Sequence, residues 1–352
     1  MIDQNVHTKA SLSVVKRVAL WATLFFVLQA IVVGVWFGIF VFGKGPGSPE
    51  VDVIVTIPRG VSVKSIGEIL GEAGLIHNDI RFSMLAQLSG YSGQLQAGEF
   101  SLKTRQRPLD VIKELVFARP LQYKVTIIEG LRAAEIAEVF ELKGWCDAGK
   151  FMSFVQDKQF IDSLGFKNIV SLEGYLYPDT YMLTADMKGA EKIIAMMVRR
   201  FFRVWEGLIS ADNQDVAREK VVILASLVEK EAAVEAERPL IAGVFKNRLT
   251  RGMRLQSDPT VTYGIENFSG KITKKLLRNS TPYNTYTISG LPVGPICNPG
   301  KGALFAALNP VETEYFYFVS KNDGTHHFSA TLSEHNRAVR KYQKKKKDKV
   351  VK

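Results

Sequence analysis

The sequence predicts an α+β protein made of an N-terminal transmembrane helix, a small α/β module and a larger α+β body. Three observations carry that prediction. Twenty-five residues, Val18–Phe42, pass without a charge. Behind them a strand, a glycine turn and an amphipathic helix follow in order, and the same pattern returns further on. The remainder mixes helical periodicity with short strand patterns and one long stretch rich in proline and glycine.

The uncharged run, "VALWATLFFVLQAIVVGVWFGIFVF", is about 37 Å long as a helix, enough to cross hydrocarbon with some tilt. Gln29 is its one strongly polar interruption, and no small-residue cleavage site follows, so it reads as an anchor rather than a removed leader. Lys9, Lys16 and Arg17 precede it and only Lys44 follows closely. Positive-inside logic then keeps residues 1–17 cytoplasmic and sends the chain after the 18–42 span to the other side.

Residues 43–50, "GKGPGSPE", read as a linker. In the module at 51–120, "VDVIVTIP" predicts a strand and "SVKSIGEILGEAGL" a helix N-capped by Ser62 and closed by Gly74. A second helix, then a strand, a loop and a further helix complete it. "VTIPRGVSVKSIGEIL" from Val55 aligns with "VTIIEGLRAAEIAEVF" from Val125, sharing V-T-I, Gly60/Gly130, Ile66/Ile136 and Glu68/Glu138. Duplication and similar turn chemistry arising twice explain this equally well; either way a new unit begins near residue 120. The body at 121–342 is expected to hold helices at 132–143, 189–208, 214–236 and 239–250 and a strand near 314–320. Residues 281–300, "TPYNTYTISGLPVGPICNPG", must be irregular, and so long an irregular segment in a compact domain points to function.

Composition narrows the function classes. The formal net charge is +11, but eight of the Lys and Arg residues crowd into the C-terminal "RKYQKKKKDKVVK", whose last part, 343–352, reads as a solvated basic tail. No nucleic-acid-binding motif accompanies the charge, so no nucleic-acid partner is expected. Cys146 and Cys297 show no metal spacing; they are read as free thiols, with a single disulfide as the alternative in an oxidising compartment.

"ASLVEKEAAVEAERP" (225–239) places four glutamates on one expected helix. On a helical wheel Glu231 falls inside the apolar arc, with Leu227 and Val228 one turn before it and Val234 one turn after. Glu235 shares that side, whereas Glu229 and Glu237 lie off it and read as solvated. A carboxylate among Leu and Val is costly when charged and unpaired. Either an arginine such as Arg248 or Arg254 pairs with it, or its pKa is raised and it holds a proton near neutrality, as a general acid must.

The surrounding motifs narrow the choice. "ASLVEKEA…ERPLIAGVFKNRLTRGMRLQSDPTVTYG", "TPYNTYTISGLPVGPICNPG", "HHFSATLSEHN" and the upstream "LEGYLYPDTY", behind a single anchor, resemble the MltG/YceG family of endolytic murein transglycosylases over residues 50–342. The resemblance implies a LysM-like glycan-binding module at 51–120 and a catalytic domain at 121–342 with its catalytic glutamate on a helix. That glutamate is the second Glu of E-K-E, here Glu231. It implies cleavage of the MurNAc–GlcNAc β-1,4 bond in nascent strands without water, leaving 1,6-anhydro-MurNAc ends. It also implies action beside membrane-embedded wall-synthesis machinery, in the bacterial inner membrane with the body extracytoplasmic. No cofactor is implied. Val293 and Cys297 depart from the family's usual residues in the irregular loop.

Further candidates carry competing readings. Glu173 and Asp179 in "LEGYLYPDTY" are either a second acid or, preferably, structural or substrate-positioning groups. Tyr175, Tyr177 and Tyr181 suit sugar stacking or core packing equally. Gln256, Ser257 and Asp258 in "LQSDPT" offer polar contacts, though Asp258 before Pro259 also suits a turn. Asn284, Thr285 and Tyr286 are the preferred substrate contacts. His326, His327 and His335 fit no standard metal spacing, so no metal is expected. A lysozyme-like hydrolase and a non-catalytic glycan-binding scaffold remain the alternatives.

Overall fold

The computed structural model describes residues 4–210, 213, 215–265, 268 and 270–343, with side chains from Lys16 onward. The rest of the basic tail, from residue 344, lies outside the described residues. The chain is of mixed α+β class and divides into two compact units, 1–122 with 184–186, and 123–183 with 187–352.

The first unit opens with α1 (Gln4–Phe42), of which Lys16–Phe42 is long and apolar enough to cross a membrane. Then follow β1 (Asp52–Ile57), α2 (Val63–Glu72), α3 (Arg81–Leu88), β2 (Gly98–Lys103) and α4 (Pro108–Phe117). Ser62 does cap α2, its hydroxyl accepting the Ser65 N–H at 3.1 Å. β1 and β2 pair antiparallel, with Val55 opposite Phe100, and alternate residues of β1 turn into a core shared with Leu70, Phe82 and Ile112. Residues 43–50 are tied down rather than free. The Gly45 N–H donates to the Gln106 carbonyl at 2.9 Å, and a side chain there would begin 2.1 Å from the Leu75 carbonyl oxygen. Thr104 Oγ1 also donates to the Pro49 carbonyl at 3.1 Å.

The second unit repeats the plan and then extends it. β3 (Tyr123–Thr126), α5 (Ala133–Leu142), α6 (Ala148–Gln156), α7 (Lys158–Ser163), β4 (Thr180–Leu183) and α8 (Ala190–Glu206) come first. β3 and β4 pair antiparallel, with Val125 opposite Tyr181. Next come α9 (Arg218–Glu231), α10 (Arg238–Thr250), the short α11 (Pro259–Thr262) and α12 (Lys274–Leu277), and α13 (Lys301–Leu308). The hairpin β5 (Tyr317–Ser320) and β6 (His326–Ser329) and α14 (Leu332–Gln343) close the fold. Residues 281–300 contain no helix or strand.

Two expectations about the acidic helix change. α9 stops at Glu231, because Ala232 is already extended (ψ 112°), so Val234 and Glu235 are not on its wheel. Nor does α9 have an apolar stripe: Val221 to Val228 are all buried, so it is the central helix of the unit, packed against α10 and α13. Glu229, expected in solvent, has a side chain only 7% exposed; it accepts the Gly300 N–H at 3.0 Å and pairs with Arg238 at 3.2 Å. Glu237 is likewise tucked in, 2.7 Å from the His326 ring.

Candidate active site

A central helix that must end somewhere delivers its last side chain to the surface. Glu231 is that residue, half-buried at the wall of a cleft of about 280 Å³. Arg248, Gln256, Asp258, Tyr286, Tyr317, Phe318, Leu332 and His335 line the rest. Ser257 Oγ donates to Glu231 Oε1 at 2.6 Å. That hydroxyl is spent on Oε1, so a proton on the carboxyl resides on Oε2. Burial is the main force on Glu231 and raises its pKa; the Asp258 charge adds to the rise, and the Ser257 hydrogen bond opposes it.

No arginine neutralises this acid: among the described residues Glu231 makes no salt bridge. Arg248 gives its Nε to the Phe316 carbonyl and Nη1 to the Leu255 carbonyl, both at 2.6 Å, and lies over the Tyr317 ring. Arg254 donates to the Tyr286 carbonyl at 3.0 Å.

Behind Ser257 stands a small hydroxyl network. The Ser257 N–H donates to Thr285 Oγ1 at 2.9 Å, and Thr260 Oγ1 donates to the Ser257 carbonyl at 2.6 Å. Because the Thr260 hydroxyl has one proton, Thr285 must be the donor in their 2.9 Å contact. The positive φ of Gln256 (47°) turns the chain here, an uncommon conformation for a residue with a side chain. Tyr286 OH donates to Asp258 Oδ1 at 2.6 Å, so both residues face the cleft as a pair.

The other expected site residues lie elsewhere. Asn284 and Thr285 are buried, and their polar atoms are occupied within the protein. Asn284 Nδ2 donates to the Asn279 carbonyl at 2.7 Å and Oδ1 accepts the Tyr286 N–H at 3.0 Å. They brace Ser257 and Tyr286 and do not line the cleft. Tyr175 is packed between Phe166 and Phe201, with no exposed ring face for a sugar. Asp179 is paired with Arg200 at 2.6 Å.

Glu173 is buried outside the cleft. It accepts the Ala133 N–H at the start of α5 at 3.0 Å, Asn298 Nδ2 at 2.8 Å and Tyr263 OH at 3.1 Å. Burial pushes its pKa up to about 7. A cavity of about 190 Å³, lined by Arg132, Lys230, Tyr263 and others, adjoins this cluster. Cys146 and Cys297 are free thiols, the latter buried against the Ser226 carbonyl.

Sequence reasoning missed Tyr317, Phe318, Leu332 and, as a cleft residue, His335. His335 stacks on Tyr317 at 5.2 Å, and burial lowers its pKa, which favours the neutral ring. The quoted "HHFSATLSEHN" contains it, but only the β5–β6 hairpin and α14 bring it opposite α9.

Comparison with known proteins agrees over nearly the whole chain. The model of the YceG-like family matches residues 55–341. An endolytic murein transglycosylase of Bacillus subtilis is 33% identical over 332 residues, 89% of this chain and 92% of the relative. One from Streptococcus pneumoniae is 30% identical over 322 residues, covering 82% of this chain and 58% of its own length. The crystal structure of a yceG-like protein from Listeria monocytogenes superposes with a TM-score of 0.56 at 32% identity, covering 82% of this chain and 100% of that one. With a family match this long, and relatives this similar across both units, the chain belongs to the YceG-like family.

Proposed function

We propose that this protein is an endolytic murein transglycosylase with Glu231 as its acid and base. The observation that carries the reading is the Glu231 carboxyl, without a salt bridge among the described residues and held protonatable by burial, at an open polar cleft. The names of the B. subtilis and S. pneumoniae relatives support it. In this mechanism Glu231 Oε2 gives its proton to the glycosidic oxygen as the bond from MurNAc C1 breaks and the GlcNAc hydroxyl leaves. The C6 hydroxyl of the same MurNAc then attacks C1 and returns its proton to the carboxylate. The product is a 1,6-anhydro end, and the acid is restored without water. Because the nucleophile is on the substrate, one carboxyl suffices where ordinary glycosidases use two.

Gln256, Asp258 and Tyr286 keep their roles at the substrate, Tyr317 and His335 join them as cleft contacts, and Ser257 acts through its hydrogen bond to Glu231. Asn284, Thr285, Glu173 and Tyr175 move to support. The N-terminus is cytoplasmic by charge asymmetry, α1 crosses the inner membrane, and the body acts outside on nascent strands beside the synthesis machinery. Residues 51–120 serve as a LysM-like glycan-binding module.

Glu231→Gln keeps an acceptor for Ser257 and removes the proton. It is expected to lower cleavage by about 10³-fold with an unchanged melting temperature, measured as anhydro-muropeptide release. Retained cleavage would falsify the assignment. Asp258 in the same cleft favours one second reading, a hydrolase with two carboxylates. Products with reducing MurNAc ends and no anhydro ends would establish that reading instead.

A further inference from the structure

The uppermost turns of α1 behave differently from the rest of the helix. Every residue from Lys16 to Trp36 is exposed, a run of 21. From Phe37 onward the first unit covers one face of the helix: Phe40 is buried in that unit's core and Phe37 and Val41 pack against it, while Ile39 and Phe42 stay exposed on the other face. The uncharged part of that run, Val18 to Trp36, rises about 28 Å, close to the thickness of a bilayer's hydrocarbon. Protein cover therefore begins on one face of α1 near the outer end of the span, and Trp36 stands where it begins, at the interfacial level that tryptophan favours.

What holds the unit there is Arg81, the first residue of α3. Its guanidinium lies 4.9 Å from the Trp36 ring and 4.8 Å from the Phe40 ring, which share one face of α1. Nη1 donates to the Trp36 carbonyl at 3.3 Å, and Nη2 to Asp79 at 2.6 Å. The Arg81 side chain is only 13% exposed, so the clamp is closed. Anchoring Arg81 at Trp36 brings the preceding residues, His77 to Ile80, down to the same height. All four are exposed, and Ile80 is 66% exposed, although it is apolar.

We propose that the loop 77–81 rests in the outer headgroup layer of the bilayer that α1 itself crosses, with Ile80 dipping toward the acyl chains. His77, Asn78 and the neutralised Asp79–Arg81 pair suit headgroups, while Ile80 suits the apolar boundary beneath them. The first unit then stands at a fixed height, because residues 43–50 are bonded to it and give no slack.

The inference rests on α1 spanning the membrane, and a separate measurement tests that: a protein washed from vesicles at alkaline pH lacks the span. The test of the loop uses the full chain in phospholipid vesicles, with Cys146 and Cys297 replaced by Ser. An environment-sensitive fluorophore is placed at Ile80→Cys or, as control, at Lys64→Cys on the exposed start of α2. With a headgroup-region nitroxide lipid present, position 80 is expected to be quenched several-fold more strongly than position 64 and to emit further to the blue. Equal quenching would overturn the proposal. So would blue emission without lipid quenching, which means that a protein covers the loop. Arg81→Ala is expected to bring quenching at position 80 down toward the control; quenching unchanged by that substitution would remove Arg81 from its role.

Discussion

β1–Gly60–α2 and β3–Gly130–α5 share a strand–glycine–helix plan, yet one sits in a unit of its own and the other is built around a buried carboxylate of the larger unit. Both glycines are left-handed, φ 78° and 80°, and both strands return through helices to an antiparallel partner. They differ in how the helix start is satisfied and in what the turn faces. α2 is capped by its own Ser62 hydroxyl at the surface. α5 gives its first N–H to Glu173, a buried carboxylate forty residues away. Around Gly60 a side chain would meet nothing within 4 Å, whereas at Gly130 it would meet Glu229 and Lys230, at the end of α9. A local cap leaves a motif independent, and a distant buried cap binds it into something larger.

The difference is sharpest at Glu173. Replacing it by Ala leaves the Ala133 N–H, the Asn298 amide and the Tyr263 hydroxyl without this buried acceptor. We expect a loss of roughly 3–5 kcal/mol in the stability of the second unit, read by calorimetry. Its titration gives the next effect. The folded pKa of about 7 exceeds the ordinary 4.5, so the protonated carboxyl favours the fold. That stabilisation is complete below the ordinary value and is lost as pH rises through about 7, a span of roughly 3 kcal/mol. Denaturation followed across this range should show it, and Glu173→Gln should flatten it. A smaller effect is expected at Ser257, which acts on chemistry rather than stability. Ser257→Ala should slow cleavage by roughly tenfold. It should also move the alkaline limb of the pH–rate profile upward, since the lost hydrogen bond lowers the Glu231 pKa. The smallest is Ser62→Ala, about 1 kcal/mol in the first unit alone. If Ser62 proved as costly as Glu173, the contrast between local and distant caps would collapse.

The sequence makes the elements with strong periodicity legible. The strand at 52–57, the helices at 63–72, 133–142, 190–206 and 238–250, and the irregular 281–300 all lie where pattern places them. The acidic helix shows why the rest was hidden. Its wheel assumed one solvent face, but a central helix has none, so Glu229 was misread as solvated. Glu231 stands out for another reason: it is where α9 ends. Asn284 and Thr285 are of types that contact sugars, but the hydroxyl network that occupies them joins segments distant in sequence. His335 enters the cleft only through tertiary packing, which no local pattern records.

Asn298 has a consequence in time. Its side chain accepts the N–H groups of Gly174 and Leu176 and donates to Glu173 and the Leu131 carbonyl, partners 122 to 167 residues upstream. A ribosome reaches these partners long before it reaches Asn298. The sheet of the first unit, by contrast, is complete once Lys103 is made. The newborn chain therefore has the sheet of its first unit ready well before the buried cluster around Glu173 can lock. The second unit's buried network closes last, after the first unit's sheet is in place.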